Sequence, residues 1–352
     1  MKGMLLAAGM GERLAPITHV IPKPLIPVLG RPIAPQVLSR LAAEGVEEVV
    51  INLHHLPDRI RAAFGDGSSF GLRALHYSLE DDRLLGTGGG LARAASTLRG
   101  DGTILVRNSD FLADIPLAAV VASHLRSRCP ATLVLAPHRG RYTRVKVDGA
   151  RRLVAFGEGD YLFTGYHLIE EEVLDLIPGP GPSDIVREVY SDMAAAGKLN
   201  AYVHEGSWWE FGTPEEYLDG SEGLIGLAAE KRARLGNFDV VRLVGQSIAA
   251  IGPGVDLDAE SVHLAGSVAL GLGAMIGEGA TIRDTVVMPE AWIGPRSKLR
   301  RCIVGPGAEI PAGFQSTETV ITGDPDPNRA VSGAVERIDG LLLRRFSNTQ
   351  SR

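Results

Sequence analysis

Aliphatic residues in the last third of this chain recur at a step of six, an interval at which neither an ordinary helix nor an ordinary sheet repeats. Ile251 and Leu257 open the series, followed by Leu264, Leu270, Ile276 and Ile282, then Val287, Ile293 and Leu299, then Val304 and Ile310. Each slip of one residue falls where a turn can absorb it. An amphipathic helix repeats its apolar face every three to four residues, and a half-buried strand every second one. A six-residue period instead marks a β-helix, in which each coil stacks its aliphatics on those of the next. Glycine follows several of them, as in Ile251-Gly252-Pro253-Gly254 and Ile276-Gly277-Glu278-Gly279. A loop-rich glycine and proline tail would not hold phase over this length. The period predicts a parallel β-helix over residues 239–330, with a cap near 335–343 and a polar tail completing 331–352.

Residues 1–238 have a different grammar. Apolar strands are expected over 4–8, 48–53, 72–78, 103–106, 131–136 and 161–167. Helices or helical patches are expected over 35–44, 57–64, 89–98, 116–127, 183–196 and 214–235. Such alternation predicts an α/β domain with a mostly parallel, doubly wound sheet and a ligand cleft at the carboxyl ends of its strands. Two domains suit a chain of 352 residues. The net charge of −6 argues against nucleic acid as the main partner. No apolar run reaches the roughly 18 residues of a membrane span, and the run at 4–8 is too short for a secretion signal. Cys129 and Cys302 stand far apart, so neither a disulfide framework nor a cysteine-rich zinc site is expected. These features point to a cytoplasmic protein that handles metabolites.

The first strand delivers Ala7-Ala8-Gly9-Met10-Gly11-Glu12-Arg13, and Pro22-Lys23-Pro24-Leu25 follows. Glycines let a backbone approach phosphate oxygens, and consecutive amides form an anion cradle. Arg13 and Lys23 add positive charge, and the flanking prolines pre-organise the lysine. The spacing fits neither the dinucleotide fingerprint nor the P-loop. Three further motifs are candidates. Glu80 precedes the glycine run Leu85-Gly86-Thr87-Gly88-Gly89-Gly90; Asp110 follows an apolar strand in Val106-Arg107-Asn108-Ser109-Asp110; and Glu210 sits in Trp208-Trp209-Glu210-Phe211-Gly212-Thr213-Pro214. An Asp after a strand is well placed for magnesium, which takes a few carboxylates plus substrate phosphate oxygens.

Gly9, Gly11, Arg13, Leu14, Thr18, Lys23, Pro24 and Leu25 together resemble the opening of the sugar-1-phosphate nucleotidylyltransferases. Members of that family often carry a left-handed hexapeptide β-helix after their catalytic domain. The resemblance implies a Rossmann-like fold of GT-A type for the first domain, Mg2+ as cofactor, and a nucleoside triphosphate and a sugar-1-phosphate as substrates. It implies catalytic roles for Arg13 and Lys23, and nucleotide binding by Ala7, Ala8, Gly9, Gly11, Glu80, Gly86, Thr87 and Gly88. The Leu-Gly-Thr-x-Gly loop would lie against the nucleobase. Asp110 and Glu210 would share the metal, Glu210 replacing the usual Asp. Glu158, Thr164 and Gly165 would meet the sugar. The family's lysine after that glutamate is absent, and Lys146 or Arg152 could supply the charge.

Mannose-1-phosphate with GTP, giving GDP-mannose, is the first expectation, and glucose-1-phosphate with dTTP or UTP is the second. A non-catalytic regulatory homologue and a bifunctional nucleotidyl/acyltransferase are the competing classes. The flat faces and open ends of a β-helix lead to the expectation of a homo-oligomer, with no nucleic-acid or membrane partner.

Overall fold

The computed structural model describes residues 1–179, 181–231, 237–243, 245–328 and 334–346. Packing groups the chain into two compact units, one of Met1–Met10 with Ile33–Trp208 and one of Gly11–Pro32 with Trp209–Arg352.

The first unit is built on a nine-stranded sheet. Lys2–Leu6 lies between Glu48–Leu53 and Ile104–Asn108, parallel to both, and Ala74–Leu79 extends the parallel set beyond Glu48–Leu53. Four strands therefore end together on one edge. Val49, Val50, Ile51 and Leu53 are all buried, the near-continuous apolar run expected of a parallel strand covered on both faces. Beyond Ile104–Asn108 the sheet is mixed. Tyr161–Ile169 runs antiparallel to it and to Ala131–Pro137, and Leu199–Val203 pairs parallel with Ala131–Pro137.

The strands expected from the apolar runs are present within a few residues. Arg144–Val147, Leu153–Phe156 and Leu199–Val203 were not legible, because they are short and the first mixes charge with apolar residues. The helix expected over 183–196 is a π-helical turn, Val186–Tyr190, followed by the short α-helix Ser191–Ala195. Ile33–Ala43 turns Ile33, Ala34, Val37, Leu38 and Leu41 inward at helical spacing.

In the second unit, short parallel strands stack into three sheets, as a parallel β-helix requires. Leu257, Ile276, Ile293 and Ile310 form one aligned row. Leu264, Ile282 and Leu299 form the second, and Ile251, Leu270, Val287, Val304 and Ile321 the third. Every aliphatic of the six-residue period lies in one of these rows. Two of the three slips of phase, between Ile282 and Val287 and between Leu299 and Val304, fall at a corner where Asp284 and Arg301 adopt left-handed φ values of 48° and 51°, as Glu318 does with 52° one coil on. The stack is closed by antiparallel strands at both ends, Asp239–Arg242 on Ile248–Ile251 and Leu341–Arg345 on Thr319–Gly323. Such caps cover edges that would otherwise pair with other chains.

Helix Pro214–Lys231 packs on strands Ile248–Ile251 and Ser267–Leu270, and the Tyr217 hydroxyl donates to the Pro27 carbonyl. The remainder of the helix expected to 235 lies outside the described residues. Among the described residues no helix is long and apolar enough to cross a membrane.

Candidate active site

In the first unit the ends of three neighbouring parallel strands are tied by one buried network. Past Lys2–Leu6, the Ala7 amide donates to Asn52 Oδ1 at 2.7 Å. Asn52 Nδ2 donates to Glu80 Oε1 at 2.8 Å, and the Leu85 amide donates to Glu80 Oε2 at 2.8 Å. Asn52 and Glu80 are 3% and 1% exposed, so Glu80 spends both oxygens inside the protein, on the loop that opens the glycine helix. His54 Nδ1 lies 2.6 Å from the Glu80 carbonyl and braces the same turn. Asn52 was missed at the sequence level, although a lone amide inside Val49-Val50-Ile51-Asn52-Leu53 was a signal for a buried polar link. A side chain on Gly9 would meet nothing within 4 Å, which leaves that backbone approachable.

The glycine run forms the start of helix Gly86–Leu98. Gly86 has φ +69°, and a Cβ there would lie 2.6 Å from the Ser183 carbonyl oxygen. A Cβ on Gly88 would lie 2.5 Å from Ser183 Oγ, and one on Gly89 2.2 Å from the Gly181 carbonyl oxygen. The Gly88 amide donates to the Ser183 carbonyl, and Thr87 Oγ1 accepts from the Ile185 amide. The space those glycines leave is thus taken by the chain's own segment 181–185, which is what their missing side chains report.

Asp110 follows strand Ile104–Asn108 at the same sheet edge. Its turn is clamped by Arg107, whose guanidinium donates to the Asn108 and Phe111 carbonyls and lies 4.1 Å from the Phe111 ring centroid. Burial lowers the Arg107 pKa to about 10, with Tyr166 and Asp110 opposing the shift. The side chain therefore keeps its charge at neutral pH.

Thr164 donates its hydroxyl to the Val134 carbonyl and is 2% exposed, so its side chain is committed inside the protein. Gly165 has φ +76°, and a Cβ there would lie 2.5 Å from Asn108 Nδ2. Glu158 is exposed, with Lys146 Nζ 3.3 Å from its Oε1. Arg152 turns away to Cys129 Sγ and the Ser127 carbonyl. Of the two cations that could replace the family's lysine, Lys146 stands at Glu158 and Arg152 does not.

The second unit holds Gly11, Arg13, Lys23 and Glu210. Gly11 has φ +66°, and a Cβ there would lie 2.7 Å from Thr18 Cγ2 and 3.4 Å from Lys23 Cβ. Thr18 Oγ1 donates to the Gly11 carbonyl at 3.0 Å. Lys23 opens the tight turn Lys23–Leu25 behind Pro22, which is extended with ψ 142°. Arg13 and Glu210 converge at Gly212, where an added methyl group would lie 3.1 Å from Arg13 Nη2, 3.1 Å from Glu210 Oε1 and 2.9 Å from Glu216 Oε2. A cation and two carboxylates thus come together beside the backbone of Gly212.

Among the described residues no three His, Cys, Asp or Glu side chains form a metal cage. Asp110 and Glu210 offer hard carboxylate oxygens, and Gly212 keeps open the gap that a side chain beside Glu210 would fill. Each carboxylate by itself is a donor of the kind magnesium takes, since that ion favours one or two carboxylates completed by water and substrate phosphate oxygens.

The chain is similar to several known proteins. A mannose-1-phosphate guanylyltransferase from Mycobacterium tuberculosis is 35% identical over 294 residues, covering 81% of this chain and 79% of that protein. An N-acetylmuramate alpha-1-phosphate uridylyltransferase from Neisseria meningitidis is 36% identical over 60% of this chain and 94% of that protein. A UTP–glucose-1-phosphate uridylyltransferase from Synechocystis is 26% identical over 92% of this chain and 93% of that protein. In fold, HddC from Yersinia pseudotuberculosis matches with TM-score 0.55 at 20% identity, covering 63% of this chain and 99% of that one. The nucleotidyl transferase family profile matches residues 2–225, and the chain belongs to that family.

Proposed function

We propose that the chain is a mannose-1-phosphate guanylyltransferase, making GDP-mannose and pyrophosphate from GTP and mannose-1-phosphate. The observation that carries the reading is the second unit's Gly11–Lys23 arrangement. A left-handed glycine packed against Thr18 and the Cβ of Lys23 fixes the start of that side chain behind a rigid proline, two residues beyond the approachable backbone of Gly9. The choice of mannose and GTP leans on the extent of similarity to the Mycobacterium protein.

In this reading an anionic oxygen of the sugar phosphate attacks the α-phosphorus of the triphosphate in line. A phosphorus–oxygen bond forms as the bond to the bridging oxygen breaks, and the electron pair leaves with pyrophosphate. No enzyme-bound intermediate is needed, so the protein positions groups and neutralises charge. Backbone amides at Gly9 and Gly11, with Arg13, hold the β- and γ-phosphates and the departing pyrophosphate, on a nucleotide-binding loop that Ala7 and Ala8 lead into, the Ala7 amide being anchored on Asn52. Lys23 neutralises the α-phosphate and the incoming sugar phosphate. Asp110 and Glu210 would hold magnesium, which when bound supplies charge neutralisation at phosphate oxygens. Glu80 acts through Leu85, holding the loop of Gly86, Thr87 and Gly88 that faces the base. Glu158 with Lys146, and the backbone at Thr164 and Gly165, receive the sugar.

We further infer a catalytic domain over 1–238, a β-helix over 239–330 and a cap and tail over 331–352, in a cytoplasmic homo-oligomer without nucleic-acid or membrane partners. A panel of nucleoside triphosphates against sugar-1-phosphates, read as pyrophosphate release with magnesium, tests the reading. GTP with mannose-1-phosphate should give the highest kcat/KM. Preference for UTP or dTTP with glucose-1-phosphate would replace the substrates while keeping the reaction, and no release with any pair would refute the reaction.

A further inference from the structure

One face of the β-helix carries far more positive charge than the chain's composition leads one to expect. Strands His263–Ala265, Thr281–Arg283, Lys298–Arg300 and Gln315–Thr317 pair in parallel. The register places Arg283 beside Arg300, and Thr281 beside Lys298. Arg345, from the closing strand Leu341–Arg345, lines the same groove, whose volume is about 350 Å³ and whose lining includes no carboxylate.

Like charges on neighbouring strands repel and weaken a sheet. At the corner beside the groove two cations are matched: Arg283, at the groove's edge, has its Nε 3.3 Å from Asp284 Oδ2, and Arg301 Nε lies 3.4 Å from Glu318 Oε1. Among the described residues no carboxylate pairs with Lys298, Arg300 or Arg345. The neighbouring sheet shows the contrast, since its aligned outer row is Asp256, Met275, Trp292 and Glu309. In a chain of net charge −6, a groove with three cations that no carboxylate matches is a place where an anion relieves a repulsion built into the sheet.

We propose that this groove binds an oligophosphate group, either free or carried by a nucleotide. Its volume falls in the range of small-molecule sites rather than of flat protein interfaces. Guanidinium groups give forked donors to phosphate oxygens, and lysine adds a point charge. The Thr281 and Thr317 hydroxyls, on strands either side of Lys298–Arg300, supply neutral donors. Several cations spread along a groove suit a chain of phosphates better than a single one.

The strand that carries Arg345 also reaches the turn bearing Arg13, because Arg344 Nη1 donates to the Glu12 carbonyl. The test therefore first removes the phosphate affinity of the loop itself. Full-length protein carrying Arg13→Ala and Lys23→Ala is titrated calorimetrically at low salt with inorganic triphosphate and, separately, with GDP. One site per chain is expected, weakening as salt rises and losing at least about tenfold in affinity when Lys298→Ala and Arg300→Ala are added. Equal affinity for both probes assigns the groove to phosphate alone, and tighter GDP binding assigns it to a nucleotide. Lys298→Gln with Arg300→Gln repeats the loss in a second background, with thermal unfolding as a check that the fold is intact. Binding that ignores the groove substitutions, or no binding, overturns the proposal. So does an oligomer that dissociates in sedimentation when the groove is neutralised while neither probe binds, which makes the face a contact for a second copy. Because the readout is binding, it stands or falls separately from the catalytic reading.

Discussion

Asn52 Nδ2 lies 2.8 Å from Glu80 Oε1, and through that buried bond the first strand's exit at Ala7 is joined to the glycine loop at Leu85. Neither side chain is open enough to touch a ligand directly, so both are positioning residues. Asn52→Leu would strand the Ala7 amide and remove one donor from a buried carboxylate. The combined cost is about 3 kcal/mol, measurable by urea unfolding, with KM for the triphosphate rising more than KM for the sugar phosphate. Full stability in Asn52→Leu would show that the network is ornamental.

Gly9 and Gly11 should separate by stability. Gly11→Ala places a Cβ at φ +66° and 2.7 Å from Thr18 Cγ2, at a cost of about 2 kcal/mol. Gly9→Ala meets no protein atom within 4 Å, so its unfolding midpoint should barely move while KM for the triphosphate rises. The reverse pattern would mean that Gly9 is there for packing.

Lys146 should report on the sugar phosphate. Its contact with Glu158 is exposed on both sides, so Lys146→Ala should change stability by less than about 0.5 kcal/mol. KM for the sugar phosphate should rise about tenfold through loss of a charge-assisted contact, with kcat little altered. Arg152→Ala, by contrast, should leave that KM alone. A sugar-phosphate KM that responds to Arg152 and not Lys146 would reverse the assignment.

Burial holds His167 down to about 3 from an ordinary value of 6.5; its ring stacks on Phe163 and meets Tyr190 edge-on. The unfolded chain binds a proton at this residue below its ordinary value, and the folded chain refuses it. Stability should therefore fall as pH drops from 6.5 toward 3, losing about 2 kcal/mol by about pH 5 at 1.36 kcal/mol per pH unit. His167→Phe should flatten that part of the urea-unfolding profile. An unchanged acid slope would move the titration to another group.

The β-helix was legible because its signal is local and repeated: Leu257, Ile276, Ile293 and Ile310 are inward residues of successive coils, and they align as the six-residue step requires. The parallel edge of the first sheet was legible for the same reason, its strands being unbroken apolar runs. What escaped is long-range pairing. Lys146 meets Glu158 only because a hairpin of two four-residue strands folds one over the other. The glycines at 86, 88 and 89 announced close approach, and the distant segment 181–185 that lies against them carries no local signal of doing so. Arg107, which clamps the turn of Asp110, read as an ordinary charged residue until its carbonyl partners were in place.

Lys23 tests the central claim most directly. Pyrophosphate release by Lys23→Ala, measured with saturating GTP, mannose-1-phosphate and magnesium, should fall about 10²- to 10³-fold in kcat, the usual effect of removing one charge stabiliser from a transition state. Turnover close to that of the unaltered protein at saturation would contradict the account.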